Sequence, residues 1–252
     1  MKRLLLTGAA GSIGSVLRKK LAPLAEILRV SDINDLGDAA PNEEIVYCDL
    51  SNEDDVYKLV KGCNGIVHFG GISIEKPWSS IRPANIEGVY NLYEAARKTG
   101  CTRILFASSN HAVGFYKQTD YLDDKVLPRP DGLYGVSKVF GEAIASLYHD
   151  KFGIETAIVR IGSCFPEPKN HRMMATWMSY DDFTALIDRI FNISQLGCPI
   201  IYGISDNDGK WWDNSGTAYL GWQPKDNGRN FLESLDKKME RPKPDAPDAV
   251  YQ

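Results

Sequence analysis

The stretch Arg3-Leu-Leu-Leu-Thr7-Gly8-Ala-Ala-Gly11-Ser-Ile-Gly14-Ser-Val-Leu-Arg-Lys-Lys-Leu21 carries three signals in a fixed order. Arg3 to Thr7 is a short apolar run that reads as a buried strand, and Ser15 to Leu21 carries a helical pattern. Between them, glycines at 8, 11 and 14 let the turn tighten, let backbone amides approach a pyrophosphate, and let the helix pack on the strand. A helix that starts here faces the phosphates with unpaired N–H groups and a partial positive charge. The spacing G-x-x-G-x-x-G differs from the commoner G-x-G-x-x-G, and a glycine turn can be purely structural. Strand, turn and helix in this order nevertheless favour a dinucleotide site.

The same alternation continues outward. Glu26 to Ser31 reads as a second strand ending at Asp32, placed to accept hydrogen bonds from the adenosine ribose hydroxyls. Such an acid repels the 2′-phosphate of NADP, and no arginine follows it or sits in the turn, so NAD is expected. Glu44 to Cys48 is a third strand, closed by Asp49-Leu50 where the adenine edge would lie, and Glu53 to Val60 a helix. Gly65 to Gly71 is a fourth strand whose terminal glycines let backbone lie close to a cofactor. His68 inside it is expected to be a packed core histidine. Asn85 to Arg97 repeats apolar residues at helical spacing. Thr102 to Ala107 is a fifth strand running into Ser108-Ser109-Asn110-His111, polar groups at a strand's carboxyl end. Glu155 to Ile161 is a sixth, followed by Gly162-Ser163-Cys164. Strands alternating with helices predict a parallel sheet covered on both faces.

Beyond residue 162 the pattern loosens. Pro166 to Met178 reads as a loop, Tyr180 to Phe191 as a helix, and Cys198 to Tyr202 as a strand. Trp211 and Trp212 suit packing better than chemistry. The proline-rich end, Arg241 to Gln252, is expected to be poorly ordered or to dock on a neighbouring subunit.

Composition narrows the partners. With 252 residues and a formal net charge of −4, and no long basic run, nucleic acid and anionic membrane surfaces are not expected. No apolar run reaches transmembrane length, and Met1-Lys-Arg passes into the first strand without a cleavage signal. The five cysteines (48, 63, 101, 164, 198) are scattered and contain no Cys-x-x-Cys pair. Reduced thiols in the cytoplasm fit this better than disulfides or zinc, so no metal is expected.

Chemistry concentrates in Arg129-Pro-Asp-Gly-Leu followed by Tyr134-Gly-Val-Ser-Lys138. Asp131 is placed to cap a helix, the prolines keeping the chain extended before it. Tyr134 and Lys138 then share one face, with roughly 6 Å between their Cβ atoms. A neighbouring ammonium favours the phenolate and draws the phenol towards the range of a general base. Tyr-x-x-x-Lys is common by chance, and an ordinary exposed helix turn is the competing reading.

Thr7-Gly8-x-x-Gly11-x-x-Gly14, Asp49-Leu50, Asn85-x-x-Gly88, Leu92-x-Glu-Ala-Ala96, Ser108-Ser109, Tyr134-x-x-x-Lys138 and Leu220-Gly-Trp-x-Pro224 together resemble an extended short-chain dehydrogenase/reductase. Within that superfamily, Gly70-Gly-Ile-Ser-Ile-Glu-Lys-Pro77, Ala107-Ser-Ser-Asn-His111, Arg160-Ile-Gly-Ser-Cys164, Pro166-Glu-Pro168, Arg172-Met and Gly209-Lys-Trp-Trp-Asp-Asn214 resemble the bacterial uronate dehydrogenase family. The resemblance implies an α/β, Rossmann-type doubly wound parallel sheet with a small C-terminal substrate-binding region. Residues 1–162 would form the NAD-binding domain, its sheet completed by a strand near 198–203. Residues 163–252 would be the substrate region and not an independent domain.

It further implies oxidation of D-galacturonate and D-glucuronate at C1 to an aldaric acid lactone, with NAD reduced, in a cytoplasmic homo-oligomer. Catalysis would fall to Tyr134 as base, Lys138 on the nicotinamide ribose, and Ser109 on the C1 oxygen. The cofactor would meet Gly8, Gly11, Ser12, Ile13 and Gly14, then Asp32, Ile33 and Asn34, then Asp49 and Leu50. Towards the nicotinamide it would meet Gly70, Gly71, Ile72, Ser73, Asn85, Tyr134, Lys138 and Cys164. Ser73, Ser109, Asn110, His111, Tyr134 and Ser163 would hold the hexuronic acid, with Arg172 gripping its carboxylate. A guanidinium is the best single partner for that group, through two parallel hydrogen bonds. The short stretch after the sixth strand favours a free monosaccharide over a sugar nucleotide. The alternatives are a neutral aldose dehydrogenase or sugar epimerase of the same superfamily, and a non-catalytic NAD sensor.

Overall fold

A computed structural model describes residues 1–239. Its centre is Arg3–Thr7 (β1). Successive side chains of a strand point to opposite faces, so Leu4 and Leu6 enter one apolar cluster and Leu5 the other. Only a strand covered on both sides can bury three leucines in a row. β1 pairs in parallel with Ile27–Asp32 (β2) and Gly65–His68 (β4). Glu43–Tyr47 (β3), Arg103–Ser109 (β5), Glu155–Ile161 (β6) and Ile200–Gly203 (β7) complete a seven-stranded parallel sheet in the order β3-β2-β1-β4-β5-β6-β7. This is the Rossmann-type α/β arrangement, and the order reverses between β1 and β4, where ligands bind in such sheets.

One face is covered by Gly14–Leu21 (α1) and Tyr180–Asn192 (α7), whose Leu17, Leu21, Phe183 and Leu186 share a cluster. Glu53–Val60 (α2), Gly88–Thr99 (α4) and Leu133–Phe152 (α5) cover the other. His68 is buried, as expected, with Nδ1 2.7 Å from Thr7 Oγ1. Burial holds its imidazole neutral, down to about 3. Trp212 stacks on Tyr202 at 5.2 Å, a packing role.

Three local expectations need correction. The helix expected from Asn85 instead starts at Trp78–Ile81 (α3) and passes through a single π turn, Arg82–Glu87, before α4. Pro83 has no N–H to give the preceding turn, and the Gly88 N–H bonds to Pro83 O five residues back. Second, Asp131 does not cap α5, because Gly132 occupies the cap position and Asp131 turns to His111. Third, the loop over 166–178 contains a short helix, His171–Thr176 (α6), capped by Asn170, whose Oδ1 accepts from Met173 N. The tail after Trp212 forms two short 3-10 turns and Leu232–Lys238 (α8). The expectation for Arg241 to Gln252 lies outside the described residues.

Candidate functional site

A cleft of about 650 Å³ lies across the carboxyl ends of the strands. At its floor Gly8 adopts φ +70, and a Cβ there would stand 2.6 Å from Phe69 C. A Cβ on Gly14 would stand 2.1 Å from Gly8 O, so α1 begins in contact with the turn only because residue 14 has no side chain. No side chain caps that helix start; Ser15 N donates to Gly11 O at 2.9 Å, and the positive end of the helix faces the cleft. Asp32 ends β2 and ties turn to loop. One carboxylate oxygen accepts from Ala10 N at 3.0 Å, the other from Asn34 N and Nδ2 at 3.0 Å each. Gly11, Ser12, Ile13, Ile33, Asn34, Asp49 and Leu50 line the same end. Asp49 Oδ1 accepts from Ser51 N and Oγ at 2.9 Å, fixing the acid after β3.

The other end is built by β4, β5, β6 and α5. Gly70, Gly71, Ile72 and Ser73 line it as the chain leaves β4, and Ser109, Asn110 and His111 as it leaves β5. Ser163 and Cys164 do so after β6, and Tyr134 and Lys138 rise from the first turns of α5. Lys138 Nζ stands 5.5 Å from the centre of the Tyr134 ring and donates to Ala107 O at 2.8 Å. His111 meets the Tyr134 ring edge-on at 5.4 Å, and its Nδ1 lies 2.9 and 3.0 Å from the two Asp131 oxygens. Ser163 Oγ is 3.0 Å from Thr176 Oγ1.

The electrostatics differ from the sequence expectation. Tyr134 and Lys138 are both buried, only 7% and 8% exposed. Burial pushes the phenol up to about 12, opposed by its hydrogen bond with Ser109 and reinforced by the Asp131 charge. Burial also draws the ammonium down to about 8. The two groups are adjacent as the spacing requires, yet desolvation is the largest influence on the phenol and drives it away from phenolate. Cys164 is likewise held as a neutral thiol, raised to about 12 by burial.

Two named residues stand back from the cleft wall. Asn85 lies behind it: Oδ1 accepts from Ile72 N at 2.7 Å, while Nδ2 donates to Ile72 O and Ser137 Oγ at 2.9 Å each. Arg172 sits in the first turn of α6, its guanidinium 5.7 Å from the Trp211 ring centre. Its neighbours Lys169, Phe165 and Met173 line the cleft instead. Sequence reasoning did not single out Lys169, although it lies three residues before Arg172, nor Asp131 as the partner of His111. It also missed the buried pair behind the site. Glu142 accepts from Arg160 Nη2 at 2.8 Å, Arg160 Nε at 3.0 Å and Ser108 Oγ at 2.6 Å. No metal-ligating group of three or more His, Cys, Asp or Glu occurs among the described residues.

The glycine cradle, the uncapped helix start and the acid at the end of β2 fit a dinucleotide laid across the switch point. The NAD dependent epimerase/dehydratase family matches residues 4–180. A uronate dehydrogenase of Agrobacterium fabrum is 57% identical over 250 residues, 99% of this chain and 94% of that protein. The crystal structure of a uronate dehydrogenase mutant from Agrobacterium tumefaciens complexed with NAD superposes with a TM-score of 0.95 at 57% identity, covering 97% of this chain and 92% of that one. A glucuronic acid dehydrogenase structure from Chromohalobacter salexigens gives 0.96 at 54% identity, covering 100% and 94%.

Proposed function

The chain belongs to the NAD dependent epimerase/dehydratase family, and we propose that it oxidises D-galacturonate and D-glucuronate at C1, forming the aldaric acid lactone with reduction of NAD. The observation that carries this reading is the meeting of Ser109, Tyr134 and Lys138 at one end of a cleft whose other end is a glycine cradle closed by Asp32, in a chain alike over nearly its whole length to uronate dehydrogenases.

Gly8, Gly11, Ser12, Ile13 and Gly14 would hold the pyrophosphate, Asp32 with Ile33 and Asn34 the adenosine ribose, and Asp49 with Leu50 the adenine. Gly70, Gly71, Ile72, Ser73 and Cys164 would wall the nicotinamide end, with Asn85 fixing that wall from behind. When bound, NAD supplies the hydride acceptor and a cationic ring. Tyr134 would take the proton of the C1 hydroxyl, and Ser109 would hold the same oxygen. Lys138 would bind the nicotinamide ribose and stand as the cation beside the phenolate. Ser73, Asn110, His111 and Ser163 would orient the sugar hydroxyls. The carboxylate would lie towards α6, where Arg172 and Lys169 provide positive charge. Residues 163–252 would thus form the substrate side of the molecule and residues 1–162 the cofactor side, with β7 extending the sheet.

No helix among the described residues is long and apolar enough to cross a membrane, consistent with a cytoplasmic enzyme. α4 and α5 pack together and expose Tyr90, Leu147 and Phe152, which supports a homo-oligomer. The test is NADH absorbance with uronic acids and the matching neutral aldoses. Turnover of uronates alone supports the assignment; equal turnover of galactose moves it to a neutral aldose dehydrogenase, and binding of NAD without turnover to a sensor.

A further inference from the structure

The start of α5 presents a local problem. Its first N–H groups need acceptors, but Gly132 has no side chain, Pro130 offers none, and the Asp131 carboxylate is engaged by His111. The acceptor arrives from 58 residues upstream: Glu75 Oε1 takes the Leu133 N–H at 3.0 Å and Oε2 the Tyr134 N–H at 2.9 Å. A Cβ on residue 132 would lie 2.4 Å from Glu75 Oε2 and 2.9 Å from its Cδ, so Gly132 is the vacancy into which this carboxylate fits. Backbone freedom is not the reason for that glycine, because its φ of −171 is extended and open to any residue.

Glu75 lies on residues 69–77, the loop that leaves β4 and supplies Ile72, Ser73 and Ile74 to the cleft wall. That loop is joined to α5 at a second point. Asn85 holds both polar backbone groups of Ile72 and donates to Ser137 Oγ, which in turn donates to Tyr134 O at 2.7 Å. Only Ser73 and Ile74 lie between the two attachments. The spacing between Ser73 and the Tyr134 phenol is therefore set by Asn85 at one end and by Glu75 at the other.

Resting on the reading of Tyr134 as base, we propose that Glu75 is a positioning residue: a carboxylate that caps the catalytic helix from the opposite wall and keeps phenol and sugar-binding loop in register. Its side chain does not line the cleft. A misplacement on the order of 1 Å of a reacting group lowers turnover by up to roughly 100-fold, so losing this clasp acts on kcat more than on NAD affinity.

The experiment uses the full chain with galacturonate and saturating NAD, alongside calorimetric NAD binding and amide exchange of the peptide spanning residues 132–136. Glu75→Ala lowers kcat roughly 10- to 100-fold, leaves NAD affinity unchanged and speeds exchange of the Leu133 and Tyr134 amides. Glu75→Gln, which keeps the shape and one acceptor, recovers part of the loss. Gly132→Ala, whose added methyl displaces the carboxylate while Glu75 itself is unchanged, reproduces both effects. The double variant is no worse than Glu75→Ala alone, because the side chain that would clash has gone. A Glu75→Ala enzyme with parental kcat per folded molecule overturns the proposal, as does full additivity of the two substitutions. If Glu75→Ala fails to fold, a Gly132→Ala enzyme with parental kcat and exchange overturns it equally. A parent that oxidises no uronate sinks the functional assignment instead, and the exchange comparison still decides whether Glu75 holds the helix.

Discussion

At the scale of single residues, the site sets burial against charge. Tyr134 must lose a proton to act as base, and its surroundings hold the phenol at about 12. Because the reactive form is the deprotonated one, kcat rises with pH from 6 to about 8, above which Lys138 loses its charge, and a flat profile over that range would remove the phenol from the chemistry. Tyr134→Phe abolishes turnover while NAD still binds; retained turnover would do the same. Arg172 stands one step behind the cleft wall while Lys169 lies in it. Hydrogen bonds to a charged group contribute roughly 1.5–3 kcal/mol, so Arg172→Ala raises the Michaelis constant for galacturonate about 10- to 150-fold. That for galactose changes little. Equal changes for both sugars would mean that Arg172 does not read the carboxylate, and Lys169→Met would then be the substitution that separates them.

At the scale of elements, α5 is aimed by charges hidden beneath it. Arg160 on β6 and Glu142 on α5 form a paired fork, with Ser108 of β5 donating to the same carboxylate and Arg160 Nη1 donating to the Tyr202 hydroxyl on β7 at 3.3 Å. Arg160 is 1% exposed. Removing one partner leaves the other charge buried alone, which costs about 3–5 kcal/mol. Glu142→Leu therefore lowers the free energy of unfolding by about that amount, whereas replacing both residues by apolar ones of similar volume recovers much of it. Denaturant melts of the single and double variants check this, and a single variant within about 1 kcal/mol of the parent would mean the pair is dispensable.

At the scale of the whole molecule, function is held against stability. Lys138 titrates freely in the unfolded chain near 10.5 but at about 8 when folded. Between those values the unfolded state binds more protons, so stability rises with pH, and below about 8 the buried ammonium is a penalty present in full. By that shift the penalty is about 3 kcal/mol at neutral pH. Lys138→Met is thus inactive yet melts higher than the parent near pH 7, and the difference in Tm shrinks as pH rises past 8. A constant difference from pH 7 to 10 would contradict the depressed lysine.

Much of this architecture is written locally. The three leucines of β1, the glycines at 8, 11 and 14 and the acid at the end of β2 specify strand, turn and helix from neighbours a few residues apart. Hydrophobic period and turn chemistry need no distant partner. The cofactor end was legible for that reason, and the Tyr134–Lys138 pair because four residues make one helical turn. Contacts between segments far apart in the chain depend instead on how the elements pack. Glu75 caps a helix 58 residues on, Asp131 leaves its own helix for His111, and Lys169 reaches the cleft wall where Arg172 does not. The reversed electrostatics of the phenol belong with these, since desolvation depends on how much chain is packed around a group, and no spacing along the sequence encodes that.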